Sequence, residues 1–481
     1  MKKRKILIYM PYATWIPHLG TDLEIAARHI DKGDDVHIIQ CSGDLPSCET
    51  NPSHTKLRCV ACRYQRDKGL SLINLPDQNR HELALNNFYR CLDLPDFHSI
   101  EELTSFEINN VDIGMAVAST LISKTRDPNP NLCNFKNYIN KNILMSNSIY
   151  NAIKYHLQQI EPDIFYLFNG RFAAIRPALR AAQGLGIKTF VHERAGVLQK
   201  YTLWEDTYPH DIEYQKKIIN HFWYNGRPDN EKEEIAKQWF EDRRRGKDQG
   251  WYSYTKSQKK RKMPDGFDAS KRNVSIYISS EDEFAAIEGW QNPIYKNQTD
   301  AINAIINADL DENIWFYIRI HPNMKGLDNT QTKELSELKG KNFTVISADS
   351  KIDSYELIDA CEKVITFGST VGIESVYWGK PSILAGRSVY EDLEGCYIPK
   401  DHEEFIHLIN DHLNPLSNLG AMKYGYFQSL AGIPYKYYNP DSLFKGKFKG
   451  VDLSYSVSTK MKIIIKYINE ILINSLNVGK T

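Results

Sequence analysis

One stretch of the sequence, residues 364–384, narrows the possible folds more than any other. Its first four residues, 364–367, are apolar and mostly β-branched, which predicts a short buried strand. The strand stops at Gly368, and Ser369 and Thr370 open a segment with apolar residues at helical spacing. Hydroxyls and free backbone N–H groups at a helix start attract anions, so the stretch predicts a strand, a turn and an anion-binding helix. The alternative is an ordinary βαβ unit in which the two hydroxyls only cap the helix.

The remainder of this stretch adds a carboxylate and a stop signal. Glu374 lies one turn into the predicted helix, where it could accept hydrogen bonds from a ribose. The run Gly-Lys-Pro at 379–381 ends the helix before a second strand at 382–385. Together these residues predict one complete ligand-binding βαβ unit.

Length and composition indicate a globular chain with two domains. At 481 residues the chain is too long for one core, and two lobes with a cleft between them are expected. Its 60 basic and 60 acidic residues cancel, so no net charge indicates a nucleic-acid partner. The N-terminal apolar run is too short for a signal peptide, and no window approaches the ~20 apolar residues of a membrane span. We expect a cytoplasmic protein, or one at the inner face of the cytoplasmic membrane, with reduced cysteines.

The N-terminal half opens as a βαβ unit. Its first strand, its helix and its second strand are predicted at residues 5–10, 21–32 and 35–40. The connecting loop, 11–20, follows the carboxyl end of a parallel strand, where open α/β sheets bind ligands. Trp15 and His18 in this loop could stack on a sugar or hydrogen-bond to it. Packing of both aromatic side chains within a long loop is the equally weighted alternative.

Four cysteines follow the second strand at the spacing Cys41-x6-Cys48-x10-Cys59-x2-Cys62. Clustered cysteines that include one C-x-x-C pair are typical of tetrahedral zinc sites. We expect a structural metal here, with zinc as the first choice and an iron–sulfur cluster as the second. Free buried thiols are the alternative.

Polar residues follow two further predicted strands, at 163–168 and 188–191. The residues at these strand ends are Asn169, Arg171, His192, Glu193 and Arg194. Because the carboxyl ends of parallel strands meet at one edge of a sheet, these side chains should line one binding site. The alternative is that an Arg171–Glu193 ion pair only holds the loops together.

The second half repeats this pattern. Strands are predicted at 274–278, 314–320, 343–346 and 364–367, with helices between them at 299–308 and 355–361. The residues that follow three of these strands are Ser280 with Glu281, Arg319 with His321, and Ser369 with Thr370. An arginine, an imidazole and hydroxyls at a helix start suit a diphosphate or a nucleotide monophosphate.

Charge and apolar spacing predict the domain limits. Residues 1–240 form the first domain, and the charged stretch 241–270 is predicted to be a solvated linker. Residues 271–420 form the second domain, and 421–481 form a C-terminal helical segment. The last helix, 460–476, carries isoleucines at helical spacing beside lysines, so it could lie on a membrane or close back over the first domain, which we favour.

The second-domain motifs resemble the capsule polysaccharide synthase family, which includes Kdo transferases and related glycosyltransferases of bacterial surface glycans. The similar segments are Arg-Ile-His-Pro at 319–322, Gly-Ser-Thr-Val-Gly-Ile-Glu and Trp-Gly-Lys-Pro within 368–381, Gly-Arg-Ser-Val-Tyr at 386–390, and Gly395. The resemblance implies an α/β protein of the GT-B fold, with two Rossmann-like domains facing a central cleft and a C-terminal helix. It also implies that His321-Pro322 and Ser369-Thr370, with the turn at Gly368, hold CMP.

From this resemblance we expect a glycosyltransferase that moves Kdo or a nonulosonic acid from its CMP donor to a capsule or other surface-glycan acceptor. No catalytic metal is expected. The acceptor would bind the first domain, at Trp15, Asn169, Arg171, His192 and Arg194. A sugar-nucleotide epimerase of the UDP-GlcNAc 2-epimerase type and a non-catalytic capsule-assembly protein are the alternatives.

The catalytic base has three candidates, each at a strand end: His18, Glu193 and Glu281. Glu281 lies in the nucleotide-binding domain, where a carboxylate next to the donor phosphate more plausibly binds a hydroxyl. We therefore predict Glu193, followed by His18.

Overall fold

The structure is a computed structural model that describes residues 3–478, with side chains described as far as residue 471. The strands are β1 (Lys5–Met10), β2 (Asp35–Gln40), β3 (Arg80–Glu82), β4 (Ile164–Phe168), β5 (Thr189–Arg194), β6 (Lys200–Glu205), β7 (Arg272–Tyr277), β8 (Ile314–Arg319), β9 (Phe343–Ile346), β10 (Lys363–Thr366), β11 (Ser382–Leu384), β12 (Ile433–Pro434), β13 (Tyr438–Pro440), β14 (Gly446–Phe448) and β15 (Val451–Asp452). The helices are α1 (Ile16–Asp31), α2 (Lys56–Leu70), α3 (Ile100–Thr104), α4 (Ile113–Thr125), α5 (Lys136–Ile160), α6 (Arg176–Gly184), α7 (Ile212–Tyr224), α8 (Asp229–Arg244), α9 (Gln298–Ile306), α10 (Thr330–Ser336), α11 (Ser354–Ala360), α12 (Val371–Tyr377), α13 (His402–Asn410), α14 (Leu419–Leu430) and α15 (Val457–Val478).

The chain forms two compact units. Unit 1 comprises the described parts of 1–124, 131–209 and 432–481, and unit 2 comprises 125–130 and 210–431. These limits differ from the predicted ones, because residues 210–240 belong to unit 2 and the segment after 431 returns to unit 1. Composition and charge do not report such a return, which depends on long-range contacts.

Unit 1 is built on the sheet β12-β6-β5-β4-β1-β2-β3. Strands β3, β2, β1, β4 and β5 are parallel, whereas β6 and β12 extend the sheet in antiparallel fashion. The apolar residues that predicted β1 and β2, such as Ile6, Ile8 and Ile38, are fully buried in its core. The chain passes from β1 outward to β3 and then continues on the other side of β1 through β4, so the sheet is doubly wound.

Unit 2 repeats this winding in the sheet β11-β10-β7-β8-β9, in which every neighbouring pair is parallel. The first strand, β7, leads to β8 and β9 on one side and to β10 and β11 on the other. Ile276, Ile318 and Ile365 from three adjacent strands are fully buried in the core. The predicted α/β fold class, with two Rossmann-like sheets and a C-terminal helix, is therefore confirmed.

The charged stretch at 241–270, predicted to be a solvated linker, starts within a helix that packs in unit 2. This helix is α8, which packs against α14. Trp239 and Phe240 of this helix are buried in an apolar cluster of unit 2, and Arg243 is paired with Glu374. These two aromatic residues outweigh the surrounding charges, because burying large aromatic side chains is strongly favourable.

The last helix packs on unit 1, as we favoured. Helix α15 contacts α2, and Arg63 of α2 donates a hydrogen bond to Glu470 at 2.5 Å. The rest of the segment predicted as helical at 421–481 also contains α14 and the small sheet β13-β14-β15. Among the described residues, no helix is long and apolar enough to cross a membrane.

Candidate functional site

Both sheets have a topological switch point, where the chain reverses its direction of travel across the sheet. In unit 1 this point lies between β1 and β4, and in unit 2 it lies between β7 and β10. Ligands of open α/β sheets bind at the carboxyl ends of the strands at such points. The predicted site residues of each half lie in the loops, strands or first helical turns at this edge of their own unit.

In unit 1, Trp15 and His18 share one aromatic cluster with Phe168. Trp15 is the N-cap of α1, which begins at Ile16, so the predicted loop 11–20 is half helical and His18 lies in the first turn. The ring centroids of His18 and Phe168 are 3.9 Å apart, and those of His18 and Trp15 are 5.5 Å apart. Burial, followed by Arg194 and His192, holds the pKa of His18 well below its ordinary value. His18 is therefore a neutral imidazole.

His192 forms a buried pair with Asp22, one turn of α1 after His18. Nε2 of His192 lies 2.7 Å from Oδ1 of Asp22, and both side chains are almost fully buried. Burial raises the pKa of Asp22, although His192 opposes this. Within the described residues, Nδ1 of His192 has no hydrogen-bond partner. The pair is therefore a buried contact that joins β5 to α1.

Glu193, the predicted base, is held in place but stays partly accessible. Its Oε2 accepts a hydrogen bond from Nδ2 of Asn169 at 3.0 Å, and its Oε1 accepts one from the backbone N–H of Arg194 at 3.0 Å. Nδ1 of His18 lies 3.9 Å from Oε1, and the Glu193 side chain is 23% exposed. Two fixed hydrogen bonds and an open side suit a carboxylate that must meet an acceptor hydroxyl.

Asn169 holds Glu193 from an uncommon backbone conformation. It follows β4 with a φ of 59°, in the left-handed region, and Gly170 continues with a φ of 83°. A Cβ on Gly170 would lie 2.9 Å from Cβ of Tyr208, so the turn requires glycine. Left-handed residues other than glycine are uncommon and concentrate at functional sites.

The two arginines of the predicted acceptor site lie in different surroundings. Arg171 places its guanidinium over the ring of Phe172, 4.6 Å from the ring centroid. Arg194 donates a hydrogen bond to the backbone carbonyl of Leu443 at 3.1 Å, and burial lowers its pKa. Arg194 therefore fastens the 441–443 loop to β5.

In unit 2, the loop after β7 contains an ion pair that joins it to the segment 125–130. Arg126 is paired with Asp282 and donates a hydrogen bond to Oγ of Ser280 at 3.3 Å. Ser280 also donates a hydrogen bond to Asp282. Ser280, predicted to bind the nucleotide, is thus held by a charged network.

Glu281 is buried, and it is bonded to the start of α9. It accepts a hydrogen bond from the backbone N–H of Gln298 at 2.6 Å, while its own N–H donates to Oε1 of Gln331 at 3.1 Å. Burial raises the pKa of Glu281 to about 7, although the bond from Gln298 opposes this. The carboxyl group can hold or release a proton near neutral pH, but it serves as the cap of a helix.

His321 follows β8 and begins a short 3-10 turn with Pro322. Its Nδ1 accepts a hydrogen bond from the backbone N–H of Asn323 at 3.1 Å, so Nε2 carries the proton of the neutral ring. Burial, followed by Arg319 and Arg126, lowers the pKa of His321 to about 4. The ring contacts Tyr254 edge-on, at 5.1 Å between centroids. His321 therefore offers one N–H donor without a positive charge.

The guanidinium of Arg319 donates hydrogen bonds to backbone carbonyls of unit 2. It donates to the backbone carbonyl of Ser347 and, at 3.1 Å, to that of Ser350. The side chain is buried, and burial lowers its pKa. Arg319 supports the 347–350 loop and adds positive potential beside His321.

The turn that opens the C-terminal motif has the predicted shape. Gly368 has a φ of 121°, and a Cβ there would lie 2.6 Å from the carbonyl oxygen of Arg387. Oγ of Ser369 accepts a hydrogen bond from the N–H of Val371 at 3.3 Å, which is the expected capping contact. Thr370 makes no such contact, because its hydroxyl donates to Oε1 of Glu374 at 2.8 Å.

Glu374 is the centre of a buried network. Its Oε1 also accepts a hydrogen bond from Nε of Arg243 at 3.0 Å, and its Oε2 accepts one from the hydroxyl of Tyr355. Burial opposes the charge, but Arg243, Tyr355 and Thr370 outweigh it, so the pKa of Glu374 lies below its ordinary value. A carboxylate with three donors and 1% exposure holds the turn in shape. Its predicted bond to a ribose stays a prediction.

The four clustered cysteines line one cavity of about 20 Å³ in unit 1. Cys41 follows β2, Cys48 lies in the next loop, and Cys59 and Cys62 lie one turn apart on α2. The spacing pattern therefore identified four thiols that the fold does bring together. Zinc itself stays a prediction.

Sequence reasoning missed Asp22 and Arg243. Asp22 lies four residues after His18, a spacing that places both on one helix face. The signal was hidden because the loop was extended to residue 20. Arg243 belongs to a run of three arginines, and the charge of this run predicts a solvated helix face. Its neighbours Trp239 and Phe240 are the signal that this helix is buried on one side.

The comparison with protein families gives one match. Residues 291–411 match the family described as "Capsule polysaccharide biosynthesis protein". The matched segment contains His321, Ser369 and Thr370, and it confirms the predicted resemblance for this part of the chain. No curated protein sequence matches the chain.

Solved structures give only distant likenesses. A Thermosulfurimonas dismutans KpsC beta Kdo 2,4 transferase is 15% identical, with a TM-score of 0.36, covering 55% of this chain and 79% of its own. The beta Kdo 2,7 transferase of KpsC from the same organism is 14% identical, with a TM-score of 0.35, covering 67% and 89%. A Methanocaldococcus jannaschii UDP-GlcNAc 2-epimerase is 13% identical, with a TM-score of 0.29, covering 87% and 98%. Likenesses of this size assign neither an activity nor a ligand to the chain.

Proposed function

We propose that this chain, which matches the capsule polysaccharide synthase family over residues 291–411, is a glycosyltransferase of capsule synthesis. It takes a sugar from a nucleotide donor and adds it to a capsule or other surface-glycan acceptor. The donor is CMP-linked Kdo or a CMP-linked nonulosonic acid. The resemblance of His321-Pro322 and Ser369-Thr370 to the CMP-binding pairs of such enzymes supports this choice of donor.

One observation carries the proposal. The two pairs that resemble a nucleotide-binding motif follow β8 and β10, the strands on either side of β7, inside the family match and at the switch point of unit 2. His321 supplies an uncharged N–H donor, and Ser369 follows a glycine turn that packs against the carbonyl oxygen of Arg387. Donors fixed in this way can bind a phosphate and stabilise the charge it gains on leaving.

Unit 1 binds the acceptor in this proposal and supplies the base. The acceptor oxygen forms a bond to the anomeric carbon of the donor sugar, while the bond from that carbon to the phosphate oxygen breaks and its electron pair leaves with the nucleotide. The acceptor proton passes to Glu193, whose carboxylate Asn169 orients. Trp15 offers a ring edge for sugar contacts, and Asp22 fixes His192 behind the site.

We also propose that the chain meets a membrane surface through helix α15. Helix α15 exposes one apolar face, formed by Met461, Ile464, Ile465, Ile468 and Ile471. Lys460 and Lys462 lie exposed beside this face and complement an anionic lipid surface. Sedimentation with anionic vesicles should carry the protein down, and Ile465→Glu should reduce the bound fraction more than Lys445→Gln on unit 1. Equal binding of both variants would contradict the contact.

The purified protein should be incubated with CMP-Kdo, a CMP-nonulosonic acid and UDP-GlcNAc without any acceptor. Slow release of CMP from one of the first two supports the proposed transferase, because transferases leak donor to water. Conversion of UDP-GlcNAc to its 2-epimer would establish the epimerase alternative instead. Release of no nucleotide from any donor, together with no binding, would leave a non-catalytic assembly protein.

Thermal stability in the presence of CMP, UDP, GDP and CDP tests the nucleotide choice separately. A ligand at ~100 times its Kd adds about 2.7 kcal/mol to the unfolding free energy. CMP should give the largest increase, and His321→Ala should reduce it. His407→Ala is the matched control, because that histidine of unit 2 is 71% exposed. A larger increase with UDP would contradict the CMP donor.

A further inference from the structure

Four sulfur atoms surround one small cavity in unit 1. The lining comes from the loop after β1, from the segment after β2 and from α2. Cys41, Cys48, Cys59 and Cys62 are all among the lining residues and are all free thiols of intermediate exposure. Four thiols converging on one space from two segments are the donor set of a metal centre.

Each of the four sulfurs has a polar hydrogen donor next to it. The backbone N–H groups of Gly43 and Ala13 donate to Cys41 Sγ at 3.2 Å and to Cys62 Sγ at 3.1 Å. The side-chain amide of Asn51 donates to Cys59 Sγ at 3.2 Å, and the hydroxyl of Thr50 lies 3.4 Å from Cys48 Sγ.

These donors are an observation independent of the sulfur positions. A neutral thiol is a weak acceptor that gains little from an N–H donor. A metal-bound thiolate carries negative charge and is stabilised by such bonds, which also set the properties of the centre. Gly43 contributes its N–H from a φ of 104°, where a Cβ would lie 2.5 Å from Nη1 of Arg63. The backbone is therefore shaped around the sulfur.

The spacing of the sulfurs distinguishes between two kinds of centre. One zinc ion with bonds of about 2.3 Å to four sulfurs would hold those sulfurs roughly 3.8 Å apart. Among the described residues, no three of these sulfurs lie within 4.8 Å of one another. A four-iron cluster holds its cysteines further apart, because each sulfur binds a different iron at a corner of the cluster.

We propose that Cys41, Cys48, Cys59 and Cys62 ligate a [4Fe–4S] cluster, one sulfur to each iron. Four thiolates around such a cluster carry a net negative charge, and Arg58 lines the same cavity to offset it. The cluster is structural in this proposal, and it stands independently of the proposed glycosyl transfer. It ties α2 and the segment after β2 to Ala13, two residues before Trp15.

The test uses the full chain purified without oxygen and reconstituted with ferrous iron and sulfide. We expect about four iron and four acid-labile sulfide per chain, and a broad absorption band in the visible range. After reduction, an electron paramagnetic resonance signal of a reduced [4Fe–4S] cluster should appear. One zinc per chain without sulfide would overturn the cluster, and absence of any bound metal after reconstitution would overturn the metal centre.

Variants identify the ligands. Cys59→Ser and Cys48→Ser should each lose most of the iron and sulfide, whereas Cys133→Ser and Cys91→Ser, at exposed positions, should retain both. Because a ligand variant can fail to fold, thiol labelling of the reconstituted wild-type protein is the second measurement. Cys91 and Cys133 should react with iodoacetamide, and the four ligands should react only after a chelator and an oxidant remove the cluster. Rapid labelling of the four ligand cysteines in the reconstituted protein would contradict the proposal.

Discussion

The two units share one winding order and differ in the use of their carboxylates. In unit 1, Glu193 has two fixed hydrogen bonds and an exposed side, and the neighbouring Nδ1 of His192 has no hydrogen-bond partner among the described residues. In unit 2, Glu374 is buried with three donors, and Asp282 is paired with Arg126. The same sheet edge therefore carries an open acid–base group in one unit and closed supporting networks in the other.

The difference in burial between Glu374 and Glu193 corresponds to two roles of a carboxylate. A fully buried carboxylate such as Glu374 holds a turn in shape, whereas one with an exposed side, such as Glu193, can take a proton from a ligand. In unit 2, Glu374 and Asp282 hold in place the loops that carry Ser369 and Ser280. Unit 1 keeps Glu193 accessible. Four experiments test this difference between the units.

The largest effect is expected for the charge of Glu193. Glu193→Gln keeps the shape and the bond from Asn169 but removes the basicity, so transfer should fall by roughly 10²–10⁴-fold. Binding of the donor nucleotide and the thermal stability should stay close to those of the parent protein. Initial rates of transfer and a nucleotide titration check this. Glu205→Gln, at an exposed end of β6, is the control, and full activity in Glu193→Gln would assign the base to His18 or Glu281.

Glu374→Gln should show the opposite behaviour, with a loss of stability. The substitution leaves Arg243 without its counter-charge, and the unfolding free energy of unit 2 should fall by about 2–3 kcal/mol. This loss of stability is smaller than for a fully buried ion pair, because the Arg243 side chain is 28% exposed. Hydrogen exchange of unit 2 amides measures this, with the exposed Glu403→Gln as control. Unchanged exchange would show that Glu374 does not support the turn.

His321 should make the stability of unit 2 depend on pH. The pKa of His321 is about 4 in the folded chain and near 6.5 when unfolded. Between these values the unfolded chain binds more protons, so stability should fall as the pH falls from 6.5 toward 4, by about 2 kcal/mol. His321→Gln should remove this part of the pH dependence, and His407→Gln should not. Parallel profiles of the parent and the His321→Gln protein would refute the neutral ring.

The smallest effect is expected for the hydroxyl of Ser369. Ser369→Ala removes one neutral hydrogen bond, worth about 1 kcal/mol or roughly a fivefold change in the Kd of the nucleotide. Calorimetric titration with CMP measures it, and Ser336→Ala at an exposed helix position serves as control. An unchanged Kd would move the nucleotide away from the turn after β10 and weaken the assignment of unit 2 as the donor side.

Local patterns predicted the strands well and the networks poorly. The predicted limits of β1, β2 and β9 coincide with those observed, because apolar and β-branched residues are concentrated in these segments. The helix α1 begins five residues earlier than predicted. Pro17 in its first turn favours a helix start, whereas the sequence pattern of 11–20 predicts a loop. That shift concealed Asp22, the partner of His192.

Sequence alone determined that this chain forms two α/β units, that polar residues gather at their strand ends, and that four cysteines share one segment. These features depend on short-range spacing, which the periodicity of strands and helices expresses directly. Three features are visible only in the folded structure. Arg319 donates hydrogen bonds to backbone carbonyls, Arg243 donates one to Glu374, and the residues after 431 pack in unit 1. Such pairings join residues far apart in the chain, and they depend on where whole elements pack rather than on any local pattern.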